Sequence, residues 1–236
     1  MHDPRGKFLG ACTRARAAQL LAALAPVDNT FSDNDPQLKP RTYADEMGAA
    51  LVRGKHYQSQ LGAPVQAWNV IHTALGYHGV TERYTTSLTR DPRFTSYCSP
   101  HAGNQAFGSM GGPLQTLWAG ISLVVPPVDN HISLAAVRHA VCSSMALQAQ
   151  GIASITVLLL RASNGNDIPG YHAWLNRCPQ ALPLATFTAN QPAWRQDHWH
   201  TAPTPMSTTT QQYHMFVVYN QAANTQYPGW KAASHR

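Results

Sequence analysis

Trp118-Ala119-Gly120-Ile121-Ser122-Leu123-Val124-Val125, followed at once by Pro126-Pro127-Val128-Asp129, is the stretch whose reading decides the fold. Its first part is apolar and β-branched, as a strand buried on both faces should be. The two prolines then hold an extended backbone that makes no ladder contact. Asn130 or His131 can cap a helix running to about Gln150, with Ile132, Ala136, Val137, Ala140, Val141 and Ala146 apolar. Gly151 closes that helix. Ile152 to Leu160 is a second buried strand. Strand, helix and strand in this order make a βαβ crossover and predict an α/β domain with parallel strands. Ligands of open α/β sheets bind at the carboxyl ends of the strands. Val125-Pro126-Pro127-Val128 falls at that place, with a carbonyl directed into the crevice.

Further from this unit the signals are weaker. Downstream, a short helix is expected around His172 to Leu175 and a third strand at Leu182 to Phe187. Trp194 to Thr210 reads as irregular, and Tyr213 to Asn220 as a late strand, antiparallel at the sheet end. Upstream, Arg93 to Gly112 is loop-like and dense in Ser, Gly and Pro. Helices are expected at Ala11–Ala25, Tyr43–Arg53 and Ala67–Leu75, with Asp28 to Pro40 as a linker. The division that follows is a helical N-terminal extension over residues 1-78 and an α/β domain over 79-236.

The chain has 236 residues, enough for one large α/β domain or one domain with a long extension. Charged residues make up 12%, about half of the usual ~25%. Two readings stand: a surface partly covered by partner chains or RNA, and a surface solvated by Gln, Thr, His and Asn. The net charge is +6, and from Arg83 to Arg236 nine basic residues face four acidic ones. That balance favours polyanions. Cys12, Cys98, Cys142 and Cys178 have no zinc-ligand spacing with histidine, and are expected to be reduced and buried. No metal site is expected. No apolar run reaches the ~18 residues of a membrane span. Residues 5 to 25 carry Arg5, Lys7, Arg14 and Arg16 with no acid, which fits an organelle-targeting segment or an ordinary amphipathic helix.

Three segments in order carry a resemblance. Phe94-Thr95-Ser96-Tyr97-Cys98-Ser99 is similar to a Phe-x-x-Tyr-Cys-Ser segment, and Phe107-Gly108-Ser109-Met110-Gly111 to a Phe-Gly-Ser-x-Gly segment. Pro126-Pro127 follows at a compatible distance. In these the chain resembles the adenine-N6 methyltransferases with an Asn-Pro-Pro-Phe/Tyr motif. Within them it looks most like the phosphorylated-CTD-interacting-factor family of cap-adenosine N6-methyltransferases. The likeness runs from about Gly76 to Tyr227. It implies a Rossmann-like methyltransferase sheet and an S-adenosylmethionine pocket to which Phe107, Gly108, Ser109 and Gly111 would belong. A turn that needs positive φ is the other reason to keep those glycines.

The departures bear on activity. In the family the Asn side chain of the motif and the carbonyl after it bind the target amino group, and the aromatic residue stacks on the flipped base. Here Val125 accepts no hydrogen bond and Val128 offers no π face. Loss of one positioning hydrogen bond in such a site costs ~10²-fold or more in rate. Ser87-Leu88-Thr89-Arg90 also lacks the Asn of the family's Ser-Pro-Leu-Asn segment, and Asn104 or Gln105 stands where the family has an acid. Asp129 and Asn130 are the candidates to stand in.

Trp194, Arg195, His198, Trp199 and His200 form an aromatic-basic cluster that suits RNA or a plug beneath a loop. The expectation is a catalytically inactive methyltransferase-like protein, without a cofactor. It would be a structural or RNA-binding subunit of a larger assembly such as a mitochondrial ribosome. The alternatives are an active S-adenosylmethionine-dependent RNA adenosine methyltransferase, with a nuclear location, and a cofactor-binding partner that activates an intact methyltransferase.

Overall fold

The computed structural model describes residues 61–64, 67, 70, 79–86, 90, 94, 96–100, 102–127, 129–162, 170–190, 192–195, 207–208, 212–228 and 230. At 61–64, 102, 103, 106, 192–195 and 207–208 it describes the backbone alone. The expected helices Ala11–Ala25 and Tyr43–Arg53 and the targeting segment lie outside these residues.

The chain builds an α/β fold on a six-stranded mixed sheet. Its strands are β2 (Val80–Glu82), β3 (Ser96–Tyr97), β4 (Gly120–Val124), β5 (Ser154–Arg161), β6 (Ala181–Phe187) and β9 (Tyr213–Tyr219). Their spatial order is β3-β2-β4-β5-β9-β6, and the first four are parallel. β9 runs antiparallel to both its neighbours. The late strand is therefore antiparallel as expected but sits inside the sheet rather than at its end. β6 arrives first and takes the edge, and β9 fills the gap with a ladder on each side.

Helix α1 (Asn130–Ala149) joins β4 to β5. Its cap is Asp129, one residue before the expected position: Asp129 Oδ1 accepts from the amides of His131 at 2.7 Å and Ile132 at 3.0 Å. Its other end closes as the glycine implied. Gly151 has φ +68°, and Ile152 N and Gly151 N donate to the carbonyls of Leu147 and Gln148, a Schellman arrangement. Helix α2 (Gly170–Arg177) packs on β6, and α3 (Gln221–Gln226) follows β9.

Strand alternation divides the core between the two faces. Val124, Leu158, Leu160, Phe216 and Val218 meet Ala136, Val137, Ala140 and Val141 of α1 and Leu175 of α2. Ile121, Leu123, Ile155, Val157, Leu159, Met215 and Val217 form the opposite face with Ala67, Phe94, Ala223 and Trp230. The helix–sheet–helix layering follows from strands apolar on both sides.

Two sequence expectations change here. Arg93 to Gly112, expected as loop, contains β3 and a 3-10 helix at Ala102–Phe107. Trp194 to Thr210, expected as irregular, contributes to a second, three-stranded sheet. In it β1 (Leu61–Pro64), β7 (Pro192–Arg195) and β8 (Ser207–Thr208) lie in the order β1-β7-β8. Arg195 pairs with Leu61 across more than half of the chain, and no local pattern encodes such a partner.

Candidate functional site

The topology points to one crevice. From β2 the chain moves outward to β3, then returns to place β4 on the other side of β2, and β5 follows outward from there. The direction of winding reverses between β2 and β4, and open sheets bind ligands outside the carboxyl ends at such a point. The residues leaving those ends are Arg83 to Thr86 and Val125 to Asp129. The motif that decided the fold from sequence thus lies at the switch point.

Among the described residues of the motif, no side chain offers the crevice a hydrogen-bonding group. Val125 is half-buried and packs against the core cluster that holds Leu123, Ile155 and Val157. Pro126 is buried and Pro127 half-buried, while Val128 lies outside the described residues. Asp129, the candidate stand-in, is taken up as the cap of α1 through Oδ1, and its backbone carbonyl accepts from Ser133 N at 2.9 Å. The bond from Ile132 N, foremost, with that from His131 N, holds the carboxyl below the usual range. Asn130 is the first residue of the helix.

The Tyr-Cys-Ser and Phe-Gly-Ser-x-Gly segments form one physical unit. Tyr97 Oη donates to the carbonyls of Phe107 at 2.9 Å and Asn104 at 3.2 Å. Met110 N donates to Tyr97 O, and Ser99 N to Gly111 O, both at 2.9 Å. Asn104 Nδ2 reaches Ser99 Oγ at 2.6 Å. Phe107 is buried, and Ser109 Oγ bonds within the turn to Gly111 N at 3.3 Å. Gly108 has φ +83° and Gly111 φ +105°, so the turn itself demands both glycines. A Cβ on Gly111 would also stand 2.7 Å from Gln115 Oε1.

Trp194 and Arg195 are in β7, where the backbone alone is described. His198, Trp199 and His200 lie outside the described residues.

The structure adds residues that sequence reading had passed over. Arg83, counted only as charge, is buried on the α1 face of the sheet. Its Nε donates to Ser122 Oγ at 3.0 Å and its Nη1 to Cys98 Sγ at 3.4 Å, and Cζ lies 5.7 Å from the Trp118 ring. Among the described residues no carboxylate pairs with it, and burial, opposed by Cys98, lowers its pKa. Glu82 is the one buried acid among the described residues. The available signal was the adjacent Glu82-Arg83 pair inside an otherwise uncharged run after Gly79. A three-residue strand is too short for periodicity to flag it.

A row of hydroxyls crosses the same face: Ser96, Thr81, Ser122 and Thr156 are in register on four adjacent strands. Thr81 and Ser96 share a bond of 2.6 Å, whereas buried Thr156 Oγ1 has no partner.

No cluster of three His, Cys, Asp or Glu that could hold a metal occurs among the described residues. Cys98, Cys142 and Cys178 are free thiols. Cys142 corrects the expectation of buried cysteines, because its position on α1 turns to solvent. Among the described residues no helix is long and apolar enough to cross a membrane. No protein-family model matches the chain, and no curated protein matches it.

Proposed function

We propose that this chain is a catalytically inactive methyltransferase-like protein, retained as a structural or RNA-binding subunit of a larger assembly such as a mitochondrial ribosome or another organelle complex. The observation that carries the reading is Val125. At the position where the resembled motif presents an amide to its substrate, this chain has a side chain drawn into the apolar cluster beneath the crevice. The nearest alternative, Asp129, already caps α1. Among the described residues the motif offers no side-chain acceptor to orient an amino group at the switch point, which adenine-N6 transfer requires.

Support for methyltransferase ancestry comes from the placement of Pro126-Pro127 at the β2/β4 switch and from the Tyr97–Phe107 unit beside it. The glycines at 108 and 111 are accounted for by backbone conformation, so their retention does not argue for a bound cofactor. The basic balance and low charge density favour an assembly with polyanionic or protein neighbours.

The test is calorimetric titration of S-adenosylmethionine into the full chain, together with methyl transfer to capped and internal-adenosine RNA. The expected result is no transfer. Methylation of adenosine at N6 would overturn the proposal. Val125→Asn combined with a Phe at position 128 is expected to stay inactive, since the Asn of the Ser-Pro-Leu-Asn segment is also missing. Photocrosslinking within the native complex, read at residues 194–200, separates an RNA-bound subunit from one held by protein alone.

A further inference from the structure

On the face of the sheet that carries α2, a second cluster of titratable side chains lies away from the switch point. His172 of α2 is 3% exposed and stacks edge-on against His214 of β9, with ring centroids 4.8 Å apart. It also meets Phe216 at 5.6 Å and Tyr171 at 4.8 Å. The Arg161 backbone accepts a hydrogen bond from the His172 ring, while Nε2 is buried without a partner. A ring so placed fits one state. In the neutral tautomer with hydrogen on Nδ1, Nε2 carries only a lone pair. A proton added there would be a buried N–H with no acceptor, facing a second imidazole.

We propose that His172 and His214 form a pH-sensitive latch that holds α2 on the sheet when neutral and releases it when protonated. The groups facing the pair point the same way. Arg161 of β5 offers the ring its backbone carbonyl, and Tyr171 of α2 and Phe216 of β9 pack against it, none of them an anion. Among the described residues no carboxylate acts on His172 to stabilise its cation. His214 is half-buried, with Nδ1 at 3.2 Å from Thr186 Oγ1 of β6, so the proton reaches it more readily. Release of α2 would withdraw Leu175 from the core, uncover Phe216 and break the bond between the Tyr171 hydroxyl and Ser133 in the first turn of α1. The latch does not depend on the function proposed above.

Burial, followed by the charge of His214, lowers the His172 pKa from 6.5 to about 4. Its folded value is depressed, so the closed state is fully favoured above 6.5, loses ground as pH falls, and levels off below about 4. From His172 alone, opening should become about twentyfold easier between pH 7 and pH 5. Hydrogen exchange of the full chain, corrected for intrinsic rates, reads this directly. Peptides covering 170–177 should lose about twentyfold more protection than those covering 139–147 of α1. His172→Phe, which keeps an aromatic ring but cannot titrate, should abolish most of the difference. Equal loss in the two helices overturns the proposal, whether or not the variant folds. A selective loss that persists in His172→Phe also overturns it.

Discussion

The α1 face of the sheet has two unlike halves. Across one row, β3, β2, β4 and β5 present Ser96, Thr81, Ser122 and Thr156, and the row ends in Val218 of β9 and Ala181 of β6. One step toward the carboxyl ends, Arg83 lies beside a run of Val124, Leu158 and Phe216. The half around β5 and β9 is ordinary core, in which each fully buried aliphatic side chain contributes about 1.5–3 kcal/mol. The half around β2 buries a guanidinium and a file of hydroxyls. Charges and hydroxyls return little net stability when buried, even well bonded. Stability is thus held away from the switch-point crevice.

If that division is right, the largest losses come from the β5/β9 half. Asn220 is its tie. Its Oδ1 accepts from Ser154 N at 3.1 Å and Ala223 N at 3.0 Å, and its Nδ2 donates to Ile152 O at 2.7 Å and Ser144 O at 3.3 Å. One buried side chain thus joins α1, β5, β9 and α3. Asn220→Ala should cost about 4 kcal/mol in urea unfolding, because several buried backbone groups lose their partners together. Leu158→Ala should cost about 3 kcal/mol through the cavity it leaves at a fully buried site. A loss below about 1 kcal/mol at both positions would erase the contrast.

The same contrast explains what was legible in the sequence. β4, α1 and β5 could be read because the signals are local: an apolar strand, a stripe at helical spacing and a glycine at the close. β2 was missed because three residues form a strand only when held on both sides, by β3 and by Leu123 and its neighbours in β4. The pairing of Leu61–Pro64 with Pro192–Arg195 was illegible for the same reason at longer range. At the site, the order of the Tyr-Cys-Ser, Phe-Gly-Ser and Pro-Pro segments could be read. The bond from Tyr97 Oη to Phe107 O that makes two of them one unit could not. Nor could the burial of Arg83, because the one cue, a Glu82-Arg83 pair in an otherwise uncharged run, is equally what a solvated ion pair would look like.

The polar half should respond weakly and in a coupled way. Arg83→Met keeps much of the stem while removing a buried charge, and should change stability by no more than about 1 kcal/mol. Ser122→Ala leaves the guanidinium Nε without its acceptor and should cost about 1–2 kcal/mol. In the Arg83→Met background the same substitution should cost almost nothing, a coupling of about 1 kcal/mol in a double-mutant cycle. Additive losses would mean that Ser122 serves packing rather than the cation.

The smallest effect has the opposite sign. Thr156 is fully buried, Oγ1 has no partner, and its row neighbours are Ser122 on one side and Val218 on the other. It therefore sits on the border between the halves. Valine has nearly the same shape and prefers strands at least as strongly. Thr156→Val replaces a desolvated, unbonded hydroxyl with a methyl, which should stabilise the chain by about 1 kcal/mol. The melting temperature should rise by a few degrees at most. Ser122→Val, one strand toward β2, should destabilise, because that hydroxyl has a cation to receive. If both substitutions move stability in the same direction, the border does not lie between β4 and β5. The hydroxyl row would then be uniform rather than divided by the presence of Arg83.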